Sequence, residues 1–85
     1  MLDSLKSKKD YVFDEMVKSG WDDREFLTEE EVMERWKMDD PKVMRNFYSG
    51  RNIRGRKLPV IKFGQRTRRY RPSDVLEFEF EVIER

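Results

Sequence analysis

Five basic side chains, Lys62, Arg66, Arg68, Arg69 and Arg71, fall within ten positions, around Gly64 and interleaved with Phe63 and Tyr70. Guanidinium and ammonium groups set this close repel one another, and the chemistry that relieves them is charge-assisted hydrogen bonding to an anion such as phosphate. The crowding extends along the chain. Residues 41–73 carry eleven Lys or Arg and no Asp or Glu, while residues 1–40 carry seven bases against thirteen acids and residues 74–85 one against five. A formal net charge of +1 therefore conceals blocks of −6, +11 and −4. A solvated surface element usually mixes signs, because neighbouring opposite charges stabilise it. A basic block without acids points instead to a polyanionic partner, whose binding turns self-repulsion into affinity.

Other site chemistry has little to draw on. The chain has no Cys and no His, which removes disulfides, thiolate or imidazole metal sites, Ser/His and Cys/His nucleophile pairs and an imidazole proton shuttle. Glu29, Glu30, Glu31 and Glu34 form an acidic run that reads as the solvated start of a helix, where negative charge is favourable. No glycine-rich phosphate loop with a Lys-Ser/Thr pair is present. The expectation is a protein that is not an enzyme and uses no cofactor. The opening MLDSLKSKKD lacks the apolar core of a signal peptide, and no apolar run is long enough to span a bilayer, so a cytoplasmic location without a membrane partner is expected. Eighty-five residues make one small domain, 1–85, with a thin core.

The elements that must position the basic side chains follow from local signals. Leu5, Val12, Phe13, Met16 and Val17 recur at helical spacing within residues 3–19, Gly20 supplies a left-handed C-cap, and Trp21 packs after it. Thr28 with Glu31 three positions on predicts a capping box, with Leu27 stapled to Val32, and Val32, Met33 and Trp36 form that helix's inner face. After a break at 37–39, Asp40 caps a further helix with Pro41 in its first turn, ending before Gly50. On it Val43, Met44 and Phe47 share an inner side, whereas Lys42, Arg45, Asn46 and Ser49 share another. Arg pairs bidentately with guanine and Asn with adenine in a groove that admits a helix, so the outward set suits reading base edges.

A basic connection with Arg51, Arg54, Arg56 and Lys57 leads into the strand LPVIKF, a turn at Gly64-Gln65 and a returning strand 66–71. With a two- or four-residue loop, Ile61, Phe63, Arg68 and Tyr70 share one face and Lys62, Thr67, Arg69 and Arg71 the other, with the aromatics anchoring the hairpin. A three-residue loop reverses the second strand. Arg69 has a scaffold alternative, pairing with Asp74. A last helix is expected from Ser73 as cap, with stripes of Val75, Phe78 and Val82 and of Leu76, Phe80 and Ile83, although FEFEV also fits a strand. The expected fold class is α+β, a small winged helix-turn-helix of three to four helices with a two-stranded hairpin wing. Its units are an N-terminal helical extension at 1–21 and a DNA-binding domain at 26–80.

LTEEEV followed by RW, a second short helix, LPVIKFG and RRYRPSDV together resemble the MerR-like winged-helix domain of phage excisionases and related small phage-type transcriptional regulators, over roughly residues 26–80. The likeness rests on Leu27, Thr28 and Val32, on Pro59, Lys62 and Gly64, and on Arg69-Tyr70 with Asp74-Val75. It implies a double-stranded DNA binder whose second helix enters the major groove and whose wing meets the adjacent minor groove or backbone. It further implies a role in recombination directionality or transcription regulation, at the nucleoid of a bacterial or phage-infected cell. The 50–57 loop is longer and more basic than that pattern, and the N-terminal helix lies outside it. The acidic N- and C-terminal regions are candidates for a protein partner, a recombinase or a second copy, since phosphates repel them. The alternative is a protein- or RNA-interaction module that uses the same basic face.

Overall fold

The computed structural model describes residues 7–50 and 56–83, with Ile83 as backbone alone. In chain order the elements are helix α1 (Lys8–Ser19), strand β1 (Leu27–Thr28), helices α2 (Glu29–Arg35) and α3 (Pro41–Ser49), strands β2 (Ile61–Lys62) and β3 (Arg68–Tyr70), and helix α4 (Pro72–Phe78), which continues as a π-helical segment, Glu79–Ile83. The strands form one antiparallel sheet in the order β1-β3-β2. It is a small α+β domain. The expected two-stranded hairpin is thus a three-stranded sheet, because Leu27 and Thr28 pair with Tyr70 and Arg69 before α2 begins.

Each helix begins and ends where side-chain chemistry favours it. Ser7 Oγ accepts from the Asp10 N–H at the start of α1, and Gly20 (φ 69°) closes it. Thr28 and Glu31 exchange both capping-box hydrogen bonds, at 3.1 and 2.8 Å. Helix α2 stops at Lys37, a non-glycine residue at φ 55°, where the Lys37 N–H donates to Glu34 O and the Met38 N–H reaches back to Met33 O. The start of α4 differs from expectation. Ser73 is not its cap: Pro72 occupies the first turn, Arg71 supplies no side-chain cap, and the Ser73 N–H donates 2.9 Å to the Asp23 carboxylate from a distant loop. The last segment is helical rather than strand.

The core is one cluster of Leu27, Val32, Met44, Leu58, Tyr70, Val75 and Phe78, with Trp21, Met33, Trp36, Met38, Phe47, Tyr48, Val60 and Val82 packed around it. Trp36, at the C-cap of α2, packs edge-on or tilted against Phe47 of α3 and Phe78 of α4, and these two also meet, with centroids 5.1 to 5.8 Å apart. Such aromatic pairs contribute roughly 0.5–1.5 kcal/mol each beyond area burial, so three elements are locked at one point. Helix α1 departs from expectation. Val12 is buried, but Phe13 and Val17 are 68% and 66% exposed, because the helix packs on α4 and the π segment through Tyr11, which meets Phe80 at 5.3 Å. Leu5 lies outside the described residues. Among the described residues no helix is long and apolar enough to cross a membrane.

Candidate nucleic-acid interface

Helix α3 presents its outward side chains from a fixed start. Asp40 accepts from the Lys42 N–H at 3.0 Å, Pro41 sets the first turn, and Gly50 (φ 80°) ends the helix with its N–H on Asn46 O. Met44 is fully buried, and Phe47 and Tyr48 join the same core. Val43, expected with them, is half-buried and outside the core cluster. Tyr48 takes its place, because the inner stripe runs 44, 47, 48. Lys42, Arg45 and Ser49 are exposed, as the spacing predicts, whereas Asn46, expected outward with them, is half-buried. Neither Lys42 nor Arg45 has an ion-pair partner among the described residues. The Ser49 hydroxyl is engaged locally, donating to Asn46 O at 3.3 Å.

The hairpin corrects the expected facing of its arginines. Ile61 pairs with Arg69 and Lys62 with Arg68, and the Phe63 N–H donates to Thr67 O at 2.9 Å, so the loop is the three residues 64–66. The second strand is therefore flipped relative to a two-residue turn. Lys62, Arg68 and Tyr70 share the face that carries Leu27 toward the core; Ile61, Phe63, Thr67 and Arg69 share the other. Gly64, at φ 101°, occupies backbone space that only glycine takes readily, which permits the tight turn. Tyr70 is fully buried and anchors the sheet, and burial pushes its phenol up to about 12. Phe63 anchors nothing beneath the sheet: it is 51% exposed.

The basic residues separate into two groups. Arg68 is half-buried, donates to Glu29 at 3.1 Å and lies 5.0 Å over the Tyr48 ring. Burial works against its charge, but Glu29 more than offsets this and raises its pKa. Arg68 is thereby a brace between β3, α2 and α3, not an outward contact. Arg69 is half-buried and donates to Arg68 O at 2.9 Å, with no ion pair to Asp74. Arg56 pairs with Glu81 at 2.6 Å. Lys57, Lys62, Arg66 and Arg71 are exposed, and no carboxylate among the described residues lies within ion-pair distance of them. Thr67 is half-buried within the hairpin. Arg51 and Arg54 lie outside the described residues.

The acidic termini serve the fold in a way that composition does not reveal. Glu79, 3% exposed, accepts from Arg35 Nε and Nη2 at 2.7 and 2.8 Å, from Trp36 Nε1 at 2.8 Å and from the Tyr11 hydroxyl. Burial alone raises its pKa, yet these donors together hold it below the usual carboxylate range. Arg35 also reaches Glu15 at 2.9 Å and lies 5.0 Å over Trp21. Two residues on, Glu81 holds Lys8 and Arg56. Of the acidic run at the start of α2, Glu29 and Glu31 are committed to Arg68 and the capping box. No family model matches the chain, and comparison with curated proteins and with solved structures likewise finds no match.

Proposed function

We propose that this protein binds double-stranded DNA sequence-specifically as a winged helix-turn-helix. In this reading α2 and α3 are the helix pair, α3 lies in the major groove, and the β2–β3 hairpin is a wing on the adjacent backbone or minor groove. The observation that carries it is the segregation of charge by partner. Arg24, Arg35, Arg56 and Arg68 each hold a carboxylate, whereas Lys42 and Arg45 on α3 and Lys62 and Arg66 on the hairpin are exposed with no ion-pair partner among the described residues, as are Lys9 and Lys37 outside the basic block. Cations left unneutralised amid so many acids fit an anion supplied from outside, and regular phosphates with readable base edges fit a helix and a hairpin together. Within this reading Lys42, Arg45 and Asn46 read bases, while Lys57, Lys62, Arg66 and Arg71 contact phosphates. The resemblance to excisionase-type domains favours work beside recombination or promoter sites in a bacterial or phage-infected cell.

Selection from a random duplex library, followed by competition at fixed salt, tests the proposal. The expected result is one preferred duplex, bound 10³-fold or more tightly than random DNA on the order seen for specific binders. Its affinity should fall with salt by a logarithmic slope of about 0.9 per phosphate contacted. Equal affinity for every duplex, with tighter binding to RNA or to an acidic protein, would refute it in favour of a generic basic module.

A further inference from the structure

Phe63 and Phe26 are the largest exposed apolar side chains of the sheet, and they meet on its outer face. Phe63 is 51% and Phe26 38% exposed, with ring centroids 6.0 Å apart. Leu27 and Tyr70 turn to the core as a pair, so Phe26, one residue before, turns outward and backs the Phe63 ring. Phe63 is the last residue before the 64–66 loop, Arg66 closes that loop, and Lys62 precedes Phe63. The loop tip is bare: a Cβ placed on Gly64 would touch nothing within 4 Å. The exposed ring pair is a poor surface for water, and the hairpin that carries Phe63 adds two exposed cations, Arg66 in the loop and Lys62 on the opposite face, with Glu25 beside Phe26 as the nearest acid in sequence.

Resting on the DNA-binding reading above, we infer that Phe63 is an apolar wedge that enters the minor groove and partly unstacks one base step. Arg66 in the loop and Lys62, from the hairpin's other face, hold nearby phosphates. Proteins that read the minor groove combine these two chemistries, an apolar side chain between base pairs and cations drawn to the groove's negative potential. The groove is about 6 Å wide, so a hairpin tip with a glycine at its turn enters more readily than a broader surface does. Phe26 supports the wedge from behind, which limits the rotamer freedom that an exposed Phe would otherwise lose on insertion.

The test uses the full chain and its selected duplex, with 2-aminopurine replacing adenine one step at a time. Unstacking brightens this base, so wild-type protein should raise its fluorescence several-fold at one step beside the α3 site. Phe63→Ala should abolish the rise while still binding the duplex about tenfold more weakly, and Phe63→Leu should retain part of it. Lys62→Ala should weaken binding at low salt but keep the rise. Thermal melts should show Phe63→Ala folded, since its ring is half outside the packed structure. A rise that persists with Phe63→Ala bound, or no rise at any step with wild type bound, would overturn the wedge and leave the DNA-binding proposal standing. Failure of the wild-type protein to prefer any duplex would overturn both.

Discussion

Replacing Glu79 by Gln separates two carboxylates that composition cannot tell apart. Glu79 and Glu81 are two residues apart, both acidic and both paired, but Glu79's side chain is 4% exposed and Glu81's partners Lys8 and Arg56 are 42% and 53% exposed. Removing one partner of a buried pair costs about 3–5 kcal/mol, because the other charge stays desolvated. Gln fills the same volume and Arg35 keeps Glu15, so the expected cost is at the low end, about 3 kcal/mol. An 85-residue domain has only about 4–13 kcal/mol in all. The urea midpoint should therefore fall by roughly 1–3 M, followed by circular dichroism and by the fluorescence of Trp21 and Trp36. Glu81→Gln should cost about 1 kcal/mol or less, as solvated pairs do. Acid titration adds a second signature. The folded pKa of Glu79 lies below its unfolded value of ~4.3, so its contribution is fully present above about pH 5 and is lost as pH falls through the folded pKa. Glu79→Gln should flatten that part of the stability curve. Equal costs for the two substitutions would refute the claim that the buried network, rather than surface pairing, holds α1 and α2 to the C-terminal segment.

Met44→Ala should cost about 2–5 kcal/mol, and Val43→Ala about 1 kcal/mol or less given its partial burial; thermal unfolding checks the order. Arg66→Ala should reduce the salt slope of DNA binding by about one without changing stability, whereas Arg68→Ala should loosen the fold with little change of slope. Paired salt titrations and melts distinguish them, and a full unit of slope lost from Arg68→Ala would contradict its role as a brace. Asp23→Ala should cost about 0.5–2 kcal/mol, since it removes the only side-chain cap seen on α4 among the described residues; urea unfolding measures it.

Local signals carried most of the helical architecture. Thr28 with Glu31, Asp40 with Pro41, and Gly20 and Gly50 each act within a few residues, so their meaning is legible before any fold is known. The hairpin resisted the same treatment because one residue of loop length reverses which side chains face outward, and no local rule distinguishes a turn of Gly64-Gln65 from one that includes Arg66. The candidate site divided along similar lines. Lys42 and Arg45 emerge on the outward side because helical periodicity alone determines it. Arg68 and Arg56 look identical to Arg66 in sequence, and what distinguishes them are acids 39 and 25 positions away. Glu79 was hidden for the same reason, as its donors Arg35 and Trp36 are 44 and 43 positions distant. Phe13 and Val17 show the converse, apolar residues at helical spacing left outside because Tyr11 and Val12 take the packed side.

The central claim is that the outward face of α3 reads base edges, and Arg45→Ala tests it most directly. Arg45 is exposed, without an ion-pair partner among the described residues and adjacent in sequence to the buried Met44, so its removal leaves the core intact. Affinities of wild type and Arg45→Ala for the selected duplex and for random duplex are measured at one salt concentration, with folding verified by circular dichroism. Arg45→Ala should lose about 1–3 kcal/mol on the selected site and much less on random DNA, which narrows discrimination. Equal losses on both duplexes would contradict it, reducing Arg45 to a phosphate contact and moving sequence reading off α3.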